Sequence, residues 1–207
     1  MFITTKLWNR HQGYDEAIEA CEKSLARLGC DYIDLYLIHW PLKDKRNESW
    51  RALIELQKKG LCRSIGVSNF TIDNLKELDS KYGVLPAVNQ VEFHPYHYQK
   101  DLLDYCNSKN IIIEAYSPLV HAKRMDEARL VTISEELNRT PAQVLIRWAM
   151  QRGMVVLPKS VNKDRIIENF SVFDFEISDS IMKRLDDLDE RYVTCWDPHN
   201  PPPYAPV

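Results

Sequence analysis

The chain has 207 residues, a formal net charge of −3 and 28% charged residues, the balance of one soluble globular domain or a piece of a larger one. No basic stripe interleaved with aromatics occurs, which argues against a nucleic-acid role, and no stretch approaches the roughly 20 apolar residues of a membrane span. Met1-Phe-Ile-Thr-Thr-Lys6 lacks the charged n-region and cleavage site of a signal peptide, and five scattered cysteines without a C-x-x-C pair fit a reducing cytoplasm with no disulfide framework or zinc site.

Taken in order, the chain alternates strand and helix signals. Phe2–Leu7 reads as a strand. Tyr14–Leu28 repeats Ile18, Cys21, Leu25 and Leu28 at helical spacing, and Gly29 is suited to its C-cap. Ile33–Ile38 is an apolar, β-branched-rich run, a second strand buried on both faces, stopped by His39-Trp40-Pro41. A helix over Glu48–Lys59 ends at Gly60. Ser64–Val67 is a third strand, and Thr71 caps a helix over Ile72–Lys81, with Asn74 where a capping box would carry Glu or Gln. Val88–Phe93 is a fourth strand, Lys100–Ser108 a helix, and Ile111–Tyr116 a fifth strand halted by Pro118. Helices over Glu127–Leu137 and Pro141–Gln151 follow, the second with Thr140 as cap and Pro141 at its first position. Met154–Leu157 is a sixth strand, ended by Pro158. Helices over Lys163–Asn169 and Ser178–Asp189 precede an irregular, proline-rich tail from Asp197.

Alternating βα units with buried strands predict a parallel sheet covered by helices. No internal repeat and no G-x-G-x-x-G after a strand is present, so the dinucleotide fingerprint of the doubly wound fold is missing. The fold class predicted is α/β, a TIM (β/α)8 barrel. About six of its usual eight strands are accounted for, in a single domain over residues 1–207.

Polar and aromatic groups recur where each strand ends, the end at which barrels build their sites. They are Lys6-Leu-Trp8 after the first, His39-Trp40-Pro41 after the second and Ser68-Asn69-Phe70 after the third. Asn89-Gln90 and Glu92-Phe93-His94 follow on the fourth, Tyr116-Ser117-Pro118-Leu119 on the fifth and Pro158-Lys159-Ser160 on the sixth. For His39 the competing reading is a core or capping histidine, for Trp8 and Trp40 plain core, and for Lys159 and Arg165 two solvated cations.

These segments, in this order, resemble the aldo-keto reductase superfamily. The resemblance rests on Phe2-Ile-Thr-Thr-Lys6-Leu-Trp8, Asp34-Leu-Tyr-Leu-Ile-His39-Trp-Pro, Gly66-Val-Ser-Asn69-Phe, Asn89-Gln90-Val-Glu92, Ala115-Tyr116-Ser-Pro-Leu119, and Pro158-Lys159-Ser160 through Arg165 to Asn169. It implies a barrel that binds NADP(H) across its strand ends and reduces aldehydes or ketones to alcohols by hydride transfer. By that resemblance His39 orients the carbonyl and Lys6 supplies the ammonium that activates a proton-donating tyrosine. Ser68, Asn69 and Gln90 hold the nicotinamide carboxamide, Tyr116 stacks on its ring, and Ser117 and Leu119 follow the pyrophosphate. Lys159, Ser160 and Arg165 take the adenosine 2′-phosphate, Glu168 and Asn169 meet the adenine, and Trp8, His39 and Trp40 wall the substrate pocket, with Tyr192 to Trp196 as a lid. A lysine and an arginine near one helix start independently suit an anion.

The departure from the family pattern is at the start. The chain opens at the pattern's third strand, so the first two βα units, with the proton-donor tyrosine and its aspartate, are expected to be missing. Reductase activity is then expected to be impaired. The alternatives are a catalytically inactive NADP-binding regulatory module or a non-functional fragment. A small carbonyl compound is the expected partner, with neither nucleic acid nor membrane, and open sheet edges are expected to promote self-association.

Overall fold

The computed structural model describes residues 1–196, so the predicted irregular tail from Asp197 lies outside the described residues. Contacts cluster into two compact units. The first holds residues 1–90 and 104–111 together with Trp196, the second residues 91–103 and 112–195. Hydrogen bonding links six strands in chain order, β1-β2-β3-β4-β5-β6, an α/β arrangement with a parallel sheet.

The first unit contains β1 (Thr4–Leu7), α1 (Tyr14–Leu28), β2 (Ile33–Ile38), α2 (Arg46–Lys58), β3 (Cys62–Ser68), α3 (Ile72–Tyr82) and the start of β4 (Val88–Glu92). All six residues of β2 are buried, so the strand is covered on both faces. The register aligns Leu7 with Ile38, Ile38 with Val67, and Val67 with Asn89. Gly66 permits that alignment, because a Cβ there would lie 2.6 Å from Leu37 Cδ2 and 2.7 Å from the Val88 carbonyl oxygen. α1 buries Ala17, Cys21 and Leu25 and ends at Gly29, whose φ of 64° suits glycine. At α3 the sequence pointed to a cap without a full box. The structure closes the box, because the Asn74 side-chain oxygen accepts the Thr71 N–H at 3.2 Å, as a Glu or Gln would.

The second unit contains the end of β4, then β5 (Ile112–Tyr116), α5 (Ala128–Glu136), α6 (Pro141–Gln151), β6 (Val155–Val156), α7 (Lys163–Phe170) and α8 (Asp179–Asp186). The remaining helix, α4 (Lys100–Ser108), starts in this unit and ends in the first. Phe93, Tyr98 and Trp148 form an aromatic core with centroid separations of 5.3–6.0 Å. The Trp148 indole N–H is satisfied by Asp186 at 2.8 Å. β6 is shorter than its predicted Met154–Leu157. The Leu157 N–H still donates to the Ala115 carbonyl, and Pro158, which has no N–H, ends the pairing. Two short 3-10 turns, Asn9–His11 and Val120–Ala122, had no periodic signal in the sequence.

Candidate active site

Register places the candidate residues of the first unit. One residue beyond the aligned row Leu7, Ile38, Val67, Asn89 come Trp8, His39, Ser68 and Gln90. Alternation turns these, with Lys6 one step before the row, to the opposite face. His39 is half-buried, its N–H bonds the Leu7 carbonyl at 3.2 Å, and its ring lies 4.9 Å from that of Trp8. Burial, aided by the nearby Lys6 ammonium, lowers the His39 pKa to about 4, so the imidazole is neutral at physiological pH. Ser68 and Asn69 are buried. The Ser68 hydroxyl donates to the Gln90 carbonyl at 2.7 Å, and the Asn69 amide donates to the His39 carbonyl and to Ser68 Oγ, both at 3.1 Å. Asn69 adopts φ 63° to do so. Trp8 is half-buried, whereas Trp40 is only 5% exposed and packs on Trp196 at 5.6 Å.

In the second unit, Tyr116, Ser117 and Leu119 sit together at the end of β5, all half-buried. Burial, with the Cys195 and Glu92 side chains nearby, pushes the Tyr116 hydroxyl far above the usual phenol range, so it stays protonated. Lys159 and Arg165 are exposed, Ser160 and Glu168 half-buried and Asn169 buried. The first turn of α7 is capped by Asn162, whose side chain accepts the Arg165 N–H at 3.1 Å. A groove of about 410 Å³ runs along it, lined by Pro158, Ser160, Ile166, Asn169 and Phe170 among others.

One constellation was not assigned a role from sequence. Glu92, 3% exposed at the end of β4, accepts hydrogen bonds from His94 at 3.0 Å, from the Thr194 N–H at 2.8 Å, from the Thr194 hydroxyl and from the Cys195 N–H at 3.0 Å. Burial alone would raise its pKa. The bonds from His94, Thr194 and Cys195 outweigh that and draw it down to about 2. The carboxylate therefore pins the segment expected to act as a lid. Its only sequence signal was a glutamate at a strand end followed two residues on by histidine.

A parallel α/β sheet with polar and aromatic groups at its strand ends defines an enzyme of the barrel type. The chain belongs to the Aldo/keto reductase family, whose model matches residues 1–190, and by family it is an aldo-keto oxidoreductase. It is 51% identical over 193 residues to the glyoxal reductase of Bacillus subtilis (strain 168), covering 92% of this chain and 70% of that protein. Among solved structures, a mutant of Gox0644 in complex with NADPH superposes with a TM-score of 0.91 at 42% identity, over 96% of this chain and 74% of that one. A Bombyx mori aldo-keto reductase in complex with NADP gives 0.89 at 33% identity, over 97% and 71%.

The Glu92 clamp has a measurable consequence. Glu92→Gln leaves one acceptor oxygen for donors that now share two, so protection factors of the Thr194 and Cys195 amides in hydrogen exchange should fall by roughly tenfold or more. In the parent chain Glu92 has a depressed pKa, so its contribution is complete above the ordinary value of 4.5 and is lost as pH falls through about 2. Loss of protection already at pH 4.5 would contradict this assignment.

Proposed function

We propose that residues 1–207 act as one aldo-keto reductase barrel domain that binds NADP(H) and reduces aldehydes or ketones to alcohols. The observation that carries this reading is the register of the first unit's strands, which puts Lys6, Trp8, His39, Ser68 and Gln90 on one face. The relatives crystallised with NADPH and NADP support the cofactor. When bound, NADPH supplies the hydride. Ser68, Asn69 and Gln90 hold the carboxamide, Tyr116 stacks on the ring, and Ser117 and Leu119 follow the pyrophosphate. The groove beside α7 fits the adenosine end. Apolar Ile166 and Phe170 and buried Asn169 line it, with Glu168 and Asn169 toward the adenine. Lys159, Ser160 and Arg165 would meet the 2′-phosphate at a helix start that favours anions.

His39 orients the substrate. A neutral imidazole can donate a hydrogen bond to a carbonyl oxygen, and a pKa of about 4 keeps it neutral through the working range. Trp8 offers the substrate an aromatic wall, and Trp40, being nearly buried, only an edge. A cytoplasmic setting goes with this reading. The family's proton-donor tyrosine and its aspartate find no match in these residues, so turnover by this chain is expected to be impaired. That mismatch favours, as the second reading, an NADP-binding module without turnover. Exposed Phe2 in the first unit, and Val155, Leu157 and Phe170 in the second, favour self-association.

Cofactor selectivity tests the phosphate assignment. Lys159→Ala and Arg165→Ala should each weaken NADPH by roughly tenfold or more, the cost of a charge-assisted contact, and leave NADH nearly unchanged in a fluorescence titration. Equal losses for both nucleotides would misplace the phosphate. Two measurements on the purified 207-residue chain check the rest. NADPH consumption with a reactive aldehyde should be far below that of the glyoxal reductase of Bacillus subtilis (strain 168), and sedimentation should show association that Phe170→Glu reduces. Full turnover, or a monomer at all concentrations, would contradict those parts of the reading.

A further inference from the structure

The second unit gathers a thiol, an imidazole and a hydroxyl, of which the proposed reduction uses only Ser117. Cys195 Sγ lies 3.6 Å from His121 Nε2 and 3.7 Å from Ser117 Oγ, and Ser117 Oγ lies 3.0 Å from the same nitrogen. Cys195 and His121 are both exposed, whereas Cys21, Cys62 and Cys106 are buried and Cys30 is partly covered. Both sides of the cluster are held in place. The Cys195 N–H is fixed on Glu92 at 3.0 Å. The loop that carries Ser117 and His121 holds Ser117, Val120, His121 and Ala122 at φ values of 49–61°. A β-branched residue such as Val120 rarely adopts that backbone, and such strain persists only where the surroundings enforce it.

We propose that Cys195 is a covalent attachment site for soft electrophiles of the conjugated-carbonyl class, with His121 as its base and the Ser117 hydroxyl as donor to the carbonyl oxygen. In the Nδ1–H tautomer the Ser117 hydroxyl donates to His121 Nε2 at rest; as that hydroxyl turns to the electrophile's carbonyl oxygen, the freed Nε2 takes the thiol proton. The sulfur then bonds to the β-carbon, and the C=C π electrons move to the carbonyl oxygen as an enolate. The Ser117 O–H hydrogen-bonds that oxygen while negative charge develops on it. The imidazolium returns its proton to the α-carbon, leaving a thioether and neutral histidine. The hydroxyl selects the class, because a disulfide or an alkyl halide develops no oxyanion for it to stabilise.

Alkylation of the full chain tests this without any activity assay, with N-ethylmaleimide as the conjugated probe, iodoacetamide as a probe without an enolate, and peptide mass mapping as readout. Cys195 should react with maleimide at least about tenfold faster than Cys30, and His121→Ala should slow both reagents by roughly tenfold. Ser117→Ala should slow maleimide and leave iodoacetamide unchanged. Labelling led by Cys30, equal rates in the parent and His121→Ala, or a Ser117→Ala effect that is absent or the same for both reagents would overturn the proposal.

Discussion

Parallel pairing in strict register is the constraint on which the candidate site rests. In the first unit Leu7, Ile38, Val67 and Asn89 stand in one row. The residue after each then falls on the opposite face, at or just past the end of β1, β2 and β3 and in the middle of β4. A slip of one residue in any pairing would turn that strand's polar terminus away from its neighbours. Gly66 guards the register: Leu37 and the Val88 carbonyl crowd the space that any larger residue would need. The same geometry gives the site its chemical variety, since each strand contributes one or two side chains and none has to supply the whole set.

Two buried titratable groups show how the folded environment assigns charge. His39 is half-buried beside an ammonium and is driven neutral. Glu92 is more deeply buried yet remains charged, because four hydrogen-bond donors converge on its two oxygens. Burial acts against the charged form in both cases, and the donor count decides the outcome. A neutral imidazole suits the orienting of a carbonyl. A permanently charged carboxylate suits the anchoring of residues 194 and 195, and through them the placement of Cys195 against His121.

Much of this was legible in the residues. β2 announced itself by an unbroken apolar run closed by His39-Trp40-Pro41, and α6 by Thr140 and Pro141, because burial on both faces and N-terminal capping are written locally. The strand-end motifs marked the family and the set of candidate site residues for the same reason: each is a short contiguous segment. What escaped is non-local. The bond between Glu92 and Thr194 joins positions 102 apart, and no periodicity or spacing reports it. The Val120–Ala122 turn depends on left-handed backbone at residues that do not ordinarily favour it.

The central proposal is that NADP(H) is bound by residues at the carboxyl ends of these strands and at the start of α7. Amide chemical-shift mapping of the 207-residue chain on addition of NADP+ tests it most directly. The largest perturbations should fall on Asn69, Gln90, Ser117, Ser160 and Arg165. Perturbations confined to the opposite strand ends, at Ile33, Cys62 and Ile112, or no perturbation at saturating nucleotide, would contradict it.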